Sequence, residues 1–140
     1  MKKNNRAFTL IELLAVIAII SIIAAIATPN VIKLINKSNE DQIYSDAKLA
    51  ISKAKYKYRK DSATNTDDKD YPDYLIDELI DTEGKGYDIT SCVSVRKDGT
   101  GNVVYSIYIA TDKYRIGDSC GNGSTEAQIN TDGKNLITKK

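Results

Sequence analysis

Glu12 is the residue of this chain whose chemistry most needs a reason. It stands four residues into a run, Phe8 to Ala27, in which seventeen of twenty side chains are apolar, the other exceptions being Thr9 and Ser21. A carboxylate inside such a run costs about 2 to 4 kcal/mol even on lenient membrane-insertion scales. An export signal needs hydrophobicity alone, which Glu12 lowers, so the residue serves a later step. Catalytic chemistry is poorly provided for. The chain has no histidine, no cysteines at metal-ligand spacing, no phosphate loop and no nucleophile signature, so an enzyme is not expected and no cofactor is implied.

The element that must carry Glu12 is a membrane helix. Twenty residues at about 1.5 Å each span roughly 30 Å, the thickness of the hydrocarbon core. Lys2, Lys3 and Arg6 precede the run and place its start on the cytoplasmic side, so the chain from Asn30 onward lies outside the cytoplasm.

Basic residues, a small Ala7, then Phe8-Thr9-Leu10-Ile11-Glu12 running into an apolar helix with Pro29 beyond it resemble a type IV pilin or another member of the pilin-like superfamily. Phe8 to Glu12 match that family's processing signature letter for letter. Ala7 departs from it, since Gly is usual there, but alanine is still small. The likeness is specific from Ala7 to Pro29 and looser as far as Asp118. It implies cleavage between Ala7 and Phe8 by a prepilin peptidase, then methylation of the new Phe8 amino group. It also implies assembly of the helices into a filament core, with Glu12 paired to the Phe8 amino group of a neighbour as a register device. The implied protein is a structural pilus subunit for surface adhesion or motility, partnered by itself, the peptidase and the assembly machinery. It would be single-pass in the cytoplasmic membrane before assembly and on the cell surface afterwards. Two alternatives stay open: a pseudopilin of a type II secretion or DNA-uptake machine, and a secreted or membrane-tethered binding module that never polymerises. Ala25-Ile26-Ala27 is a fair site for ordinary signal peptidase. Glu12, the length of the run and Pro29 just past that site speak against its use.

Pro29 removes the amide that would bond the Ala25 carbonyl, and such a residue costs about 3 kcal/mol inside a helix. The alternatives are a helix end and a kink or meltable point in one long helix. The second is preferred because Ile43, Ala47, Ala50, Ile51, Ala54 and Tyr58 continue a helical stripe beyond it. A helix from Phe8 to about Lys60, roughly 80 Å long, is therefore expected.

The polar stretch Asp61 to Asp70 should end it. Pro72 then leads into a short amphipathic helix through Leu75, Ile76, Leu79 and Ile80, closed by Gly84 and Gly86. Ile89, Ser91, Val93 and Val95 alternate as a strand, Lys97 to Gly101 makes a hairpin turn, and Val103, Tyr105, Ile107 and Ile109 alternate again. A third short strand runs through Tyr114 and Ile116. The expected fold is α+β, a long helix carrying a small antiparallel sheet of three or four strands. The expected divisions are a leader at 1–7, a membrane and filament helix at 8–29, its amphipathic continuation at 30–60, and a head at 61–140 packed on 30–60.

Cys92 and Cys120 are the two cysteines, both on the extracytoplasmic side, where a disulfide is permitted. Closing their loop would stabilise the fold by about 3 to 4 kcal/mol in the chain-entropy model, free thiols being the alternative. In strand alternation Cys92 lies with Ser94 and Arg96, so the bond would pin residues 119–124 to the outer face of the sheet. Charge says little about partners. The chain has 20 basic and 19 acidic residues, and losing Lys2, Lys3 and Arg6 leaves 17 against 19. Lys48, Lys53, Lys55, Lys57, Arg59 and Lys60, with Tyr56 and Tyr58, make a basic and aromatic helix end that could touch DNA. Cations complementing a helix C-terminus are the preferred account, and DNA is not expected as a partner. Asp112, Asp118, Asn130, Asp132 and Asn135 offer oxygen ligands but lack the spacing of an EF-hand loop, so calcium is not expected either.

Overall fold

The computed structural model describes residues 8–64 and 71–140. Helix α1 runs over Leu10–Thr64 and contains Pro29 within it. It passes through two units, one ending at Ser38 and the other comprising Asn39–Lys140. The leader residues, Ala7 among them, lie outside the described residues, as does most of the expected loop before Asp70.

In the first unit every residue from Phe8 to Ile35 is exposed. α1 is there apolar all round, and it is the one helix among the described residues long and apolar enough to cross a membrane. Three of its polar side chains bond back onto the helix. Ser21 Oγ donates to the Ile17 carbonyl at 2.7 Å and Thr28 Oγ1 to the Ala24 carbonyl at 2.6 Å. Asn30 Nδ2 donates to the Ile26 carbonyl at 3.4 Å. The last two contacts flank the Ala25 carbonyl, which Pro29 deprives of an amide. Where water is scarce, such back-bonding keeps polar groups and a proline tolerable in a helix.

The second unit is built on the rest of α1. Ile43, Ala47, Ala50, Ile51 and Ala54 are buried in one stripe, and Tyr58 extends it half-buried. Three of these are alanines, so the helix backbone can approach the sheet closely. After α1 come β1 (Asp73–Leu75), α2 (Ile76–Leu79), β2 (Cys92–Lys97), β3 (Val103–Ala110) and β4 (Tyr114–Ile116). The chain ends with β5 (Ser124–Thr125), α3 (Glu126–Asp132), a 3₁₀ turn (Gly133–Leu136) and β6 (Ile137–Lys139). The sheet is antiparallel in the order β1-β2-β3-β4-β6, with β5 also paired to β3. Tyr74 on β1, Ile76 and Leu79 on α2 with Ile80 after it, Val93 and Val95 on β2, Tyr105, Ile107 and Ile109 on β3, Tyr114 and Ile116 on β4 and Ile129 on α3 complete the core.

Six strands replace the three or four expected. Pro72 opens β1, not a helix directly, and α2 is a single four-residue turn. Ile89 is not in a strand and is 90 % exposed. Asp88 Oδ1 accepts hydrogen bonds from the backbone N–H and Oγ1 of Thr90, at 2.9 and 2.8 Å, and this local turn overrides the alternating pattern. The residues after Cys120, which carry no clear period, return to the sheet as β5 and β6.

β4 and β5 share one edge of β3, and two glycines make this possible. A Cβ on Gly117, whose φ is +79°, would lie 2.8 Å from the Ile107 carbonyl oxygen, and one on Gly123 would overlap that same carbonyl group. The seven-residue loop from Gly117 to Gly123 therefore leaves and rejoins β3 at a single residue.

Candidate assembly and processing site

Thr9 and the first turn of α1 place Glu12. Thr9 precedes the first helical residue, and the Leu13 N–H donates to its carbonyl at 3.2 Å. Glu12 Oε2 accepts from the Thr9 N–H and from Thr9 Oγ1, both at 2.8 Å, while Thr9 Oγ1 accepts from the Glu12 N–H at 3.3 Å. This reciprocal arrangement is a capping box, and it closes backbone donors that the first turn of any helix leaves open. Its signature, Thr-x-x-Glu ahead of an apolar run, stands at Thr9 to Glu12. Glu12 thus lies at the positive end of the α1 dipole, where a carboxylate is favoured. Phe8 is 88 % exposed beside it.

The structure joins Cys92 to Cys120 by a disulfide with Cα atoms 5.8 Å apart. Cys92 is buried and Cys120 exposed. The strand alternation places Ser94 with Cys92, and Ser94 Oγ sits 3.8 Å from the Cys92 sulfur and 3.6 Å from that of Cys120. Ser94 Oγ also accepts from the Gly121 N–H at 2.8 Å, so the loop is fastened to β2 by a covalent bond and a hydrogen bond together. Arg96 extends the same row, donating to the Tyr71 carbonyl at 3.0 Å and pairing with Asp73 at 2.8 Å.

The basic end of α1 is partly consumed within the subunit. Lys55 pairs with Glu126 and Lys57 with Glu78, each at 2.5 Å, and the Lys48 ammonium lies 4.7 Å from the Tyr44 ring centroid. Lys53 and Arg59 are exposed. Of the oxygen-bearing residues considered for calcium, Asp118 lies 3.9 Å from Arg115, Asp112 is in the β3–β4 connection, Asn130 and Asp132 are on α3 and Asn135 is in the 3₁₀ turn. Among the described residues no three His, Cys, Asp or Glu side chains converge.

One buried polar cluster has no counterpart in the sequence reading. Asp46, 8 % exposed on the flank of the core stripe, pairs with Lys85 at 2.9 Å and accepts from the Tyr87 hydroxyl at 2.6 Å. Burial, then the Asp46 carboxylate, pushes the Tyr87 phenol well above its ordinary range. Asp46 shares its side of α1 with the polar Asn39, Gln42 and Lys53, so nothing in the spacing marks it as buried. The C-terminal segment adds further ties: Thr125 and Gln128 form a second capping box, and Tyr44 donates to the Ile129 carbonyl at 3.3 Å. Lys134 pairs with Asp41.

Comparison with protein families matches residues 2–28 to the prokaryotic N-terminal methylation motif. No curated protein and no solved structure matches the chain. The motif implies processing by a prepilin peptidase and, with the apolar helix behind it, supports anchoring in the membrane before assembly. It points to a structural protein rather than an enzyme. Taken with the long helix and the antiparallel sheet, the methylation motif supports a place for this chain in the type IV pilin-like family.

Proposed function

We propose that the chain is a prepilin whose mature form is the structural subunit of a type IV pilus serving surface adhesion or motility. The observation that carries this is the methylation motif at 2–28, which runs into a helical stretch whose apolar residues are all exposed in the isolated chain as far as Ile35. Cleavage between Ala7 and Phe8 frees an amino group, which is methylated. Exposed apolar surface of this extent requires lipid or like helices around it. In the filament, neighbouring α1 segments take the place of lipid, and Glu12 pairs with the Phe8 amino group of the next subunit. The carboxylate then sets register, because only the aligned neighbour satisfies both charges. Pro29 gives α1 a point of low helical stability at which the packed segment can adjust. The same motif serves pseudopilins of secretion and DNA-uptake machines, and abundant long surface filaments would separate a pilin from them.

The test is the N-terminal sequence and intact mass of the protein from its native host. The expected chain begins at Phe8 and carries one added methyl group. A chain beginning at Thr28 would mean an ordinary secreted domain and overturn the proposal. Replacing Ala7 by a bulky residue should block this maturation, since the site takes a small side chain.

A further inference from the structure

Charge along the second unit is segregated in a way that the chemistry at Phe8 and Glu12 does not use. From Ala47 to Lys60 the helix carries six cations and no acid, whereas from Asp61 to Glu83 the chain carries nine acids against Lys69 alone. Two of the cations are met inside the subunit, Lys55 by Glu126 of α3 and Lys57 by Glu78 of α2. Residues two apart on a helix point about 200° apart, so α3 and α2 cover opposite flanks of α1. Between those flanks lies a solvent face. Leu49 and Tyr56 sit on it seven residues apart, in line with one another, and are 45 % and 71 % exposed. Exposed Lys48, Lys53 and Arg59 surround them.

The corner where β1 meets α2 is the complement. Leu75 is 42 % exposed there, and Asp77 on α2 and Asp81 and Glu83 in the turn that follows it are exposed as well. The Glu83 N–H donates to Asp81 Oδ1 at 3.1 Å, which fixes the turn that follows α2. One surface is apolar with a cationic rim and the other apolar with an anionic rim.

We infer that heads associate through these two surfaces, the solvent face of α1 in one copy seating on the β1–α2 corner of the next. The corner belongs to one flank of α1, so a subunit cannot fold it over its own solvent face, and the contact must be made with a second copy. Two different patches meeting between identical subunits form a heterologous contact, which propagates as an open helical array unless the rotation closes a ring. Exposed ion pairs each contribute little, but complementary rims choose orientation and partner while the apolar centres supply buried area. The inference rests on the filament reading given above and adds the surface by which heads find one another.

The experiment compares filaments sheared from the native host. Lys48→Glu with Lys53→Glu should lower the yield at least tenfold, and so should Asp77→Lys with Asp81→Lys. The N-terminus should remain mature in both. All four changes together leave the formal charge of the chain as it was and should restore at least half of the wild-type yield. Absence of filaments in the wild type would overturn the filament reading itself. Wild-type filaments with both doubles at wild-type yield, or doubles that fail without recovery in the quadruple, would overturn this contact alone. The same holds if wild-type filaments persist in the Lys48→Glu, Lys53→Glu variant while that variant loses a gel shift of double-stranded DNA, since the face would then belong to a polyanion.

Discussion

From Phe8 to Ile35 no residue is buried, while from Ile43 to Ala54 five residues of the same helix are almost fully buried. The first stretch is apolar on every side as far as Ala27, and nothing among the described residues covers it. The second keeps a narrow apolar stripe, and its own sheet covers that. A helix apolar all round is stable only inside a membrane or among other helices, whereas a striped one is complete within a domain. One part of α1 therefore depends on surroundings that other molecules supply, and the other part depends only on its own head.

That contrast can be broken at either end. The largest effect is expected from Glu12→Ala, which should reduce surface filaments at least tenfold while membrane insertion and the thermal unfolding of the head are unchanged. Wild-type filament yield in that variant would remove Glu12 from assembly. Next is Cys92→Ser combined with Cys120→Ser, which should destabilise the head by about 3 to 4 kcal/mol, the chain-entropy value for a separation of 28 residues. Chemical denaturation of the detergent-solubilised chain measures it.

Ala50→Leu should cost about 1 to 3 kcal/mol by overpacking the helix against the sheet. Ala18→Leu, the same change in the first unit, should leave head unfolding where it was. Equal effects would mean that the two parts of α1 are not separately stabilised. The smallest effect is at Tyr87. Its folded-state pKa is raised, so its bond to Asp46 stabilises the head fully below the ordinary phenol pKa of about 10 and is lost as pH rises above that. Tyr74, raised mainly by burial and then by Asp61, and Tyr105, raised mainly by burial, act in the same direction. Tyr87→Phe should cost about 0.5 to 1.5 kcal/mol at neutral pH, since Asp46 keeps Lys85, and make the alkaline decline of the melting temperature shallower.

The parts of the fold legible in the sequence are those where one period dominates. The stripe from Ile43 to Ala54 and the alternation of Tyr105, Ile107 and Ile109 predict their buried faces, and β4 falls where Tyr114 and Ile116 put it. Period fails where a side chain competes with it. Asp88 turns the backbone at Ile89, and Thr125 and Gln128 start α3 in a segment with too few apolar residues to show a pattern. β1 and β6 are three residues each, too short for alternation to register. The candidate site divides in the same way. Glu12 stands out by its cost in an apolar run, and the two cysteines stand out by number. The cap formed with Thr9 and the Asp46 cluster depend on which side chains meet, and spacing alone does not report that.

The Thr9–Glu12 capping box has a consequence for the timing of assembly. Its hydrogen bonds lie wholly on the mature side of the Ala7–Phe8 bond, so removal of the leader need not unwind the first turn of the helix. What changes is electrical. A new ammonium appears beside the positive end of the helix dipole, a place where a cation is disfavoured by itself. In the proposed pathway the freshly cut subunit therefore acquires a strong appetite for an anion on another copy. Proteolysis would then serve as a clock, holding subunits apart until each is cut and committing them to one another afterwards.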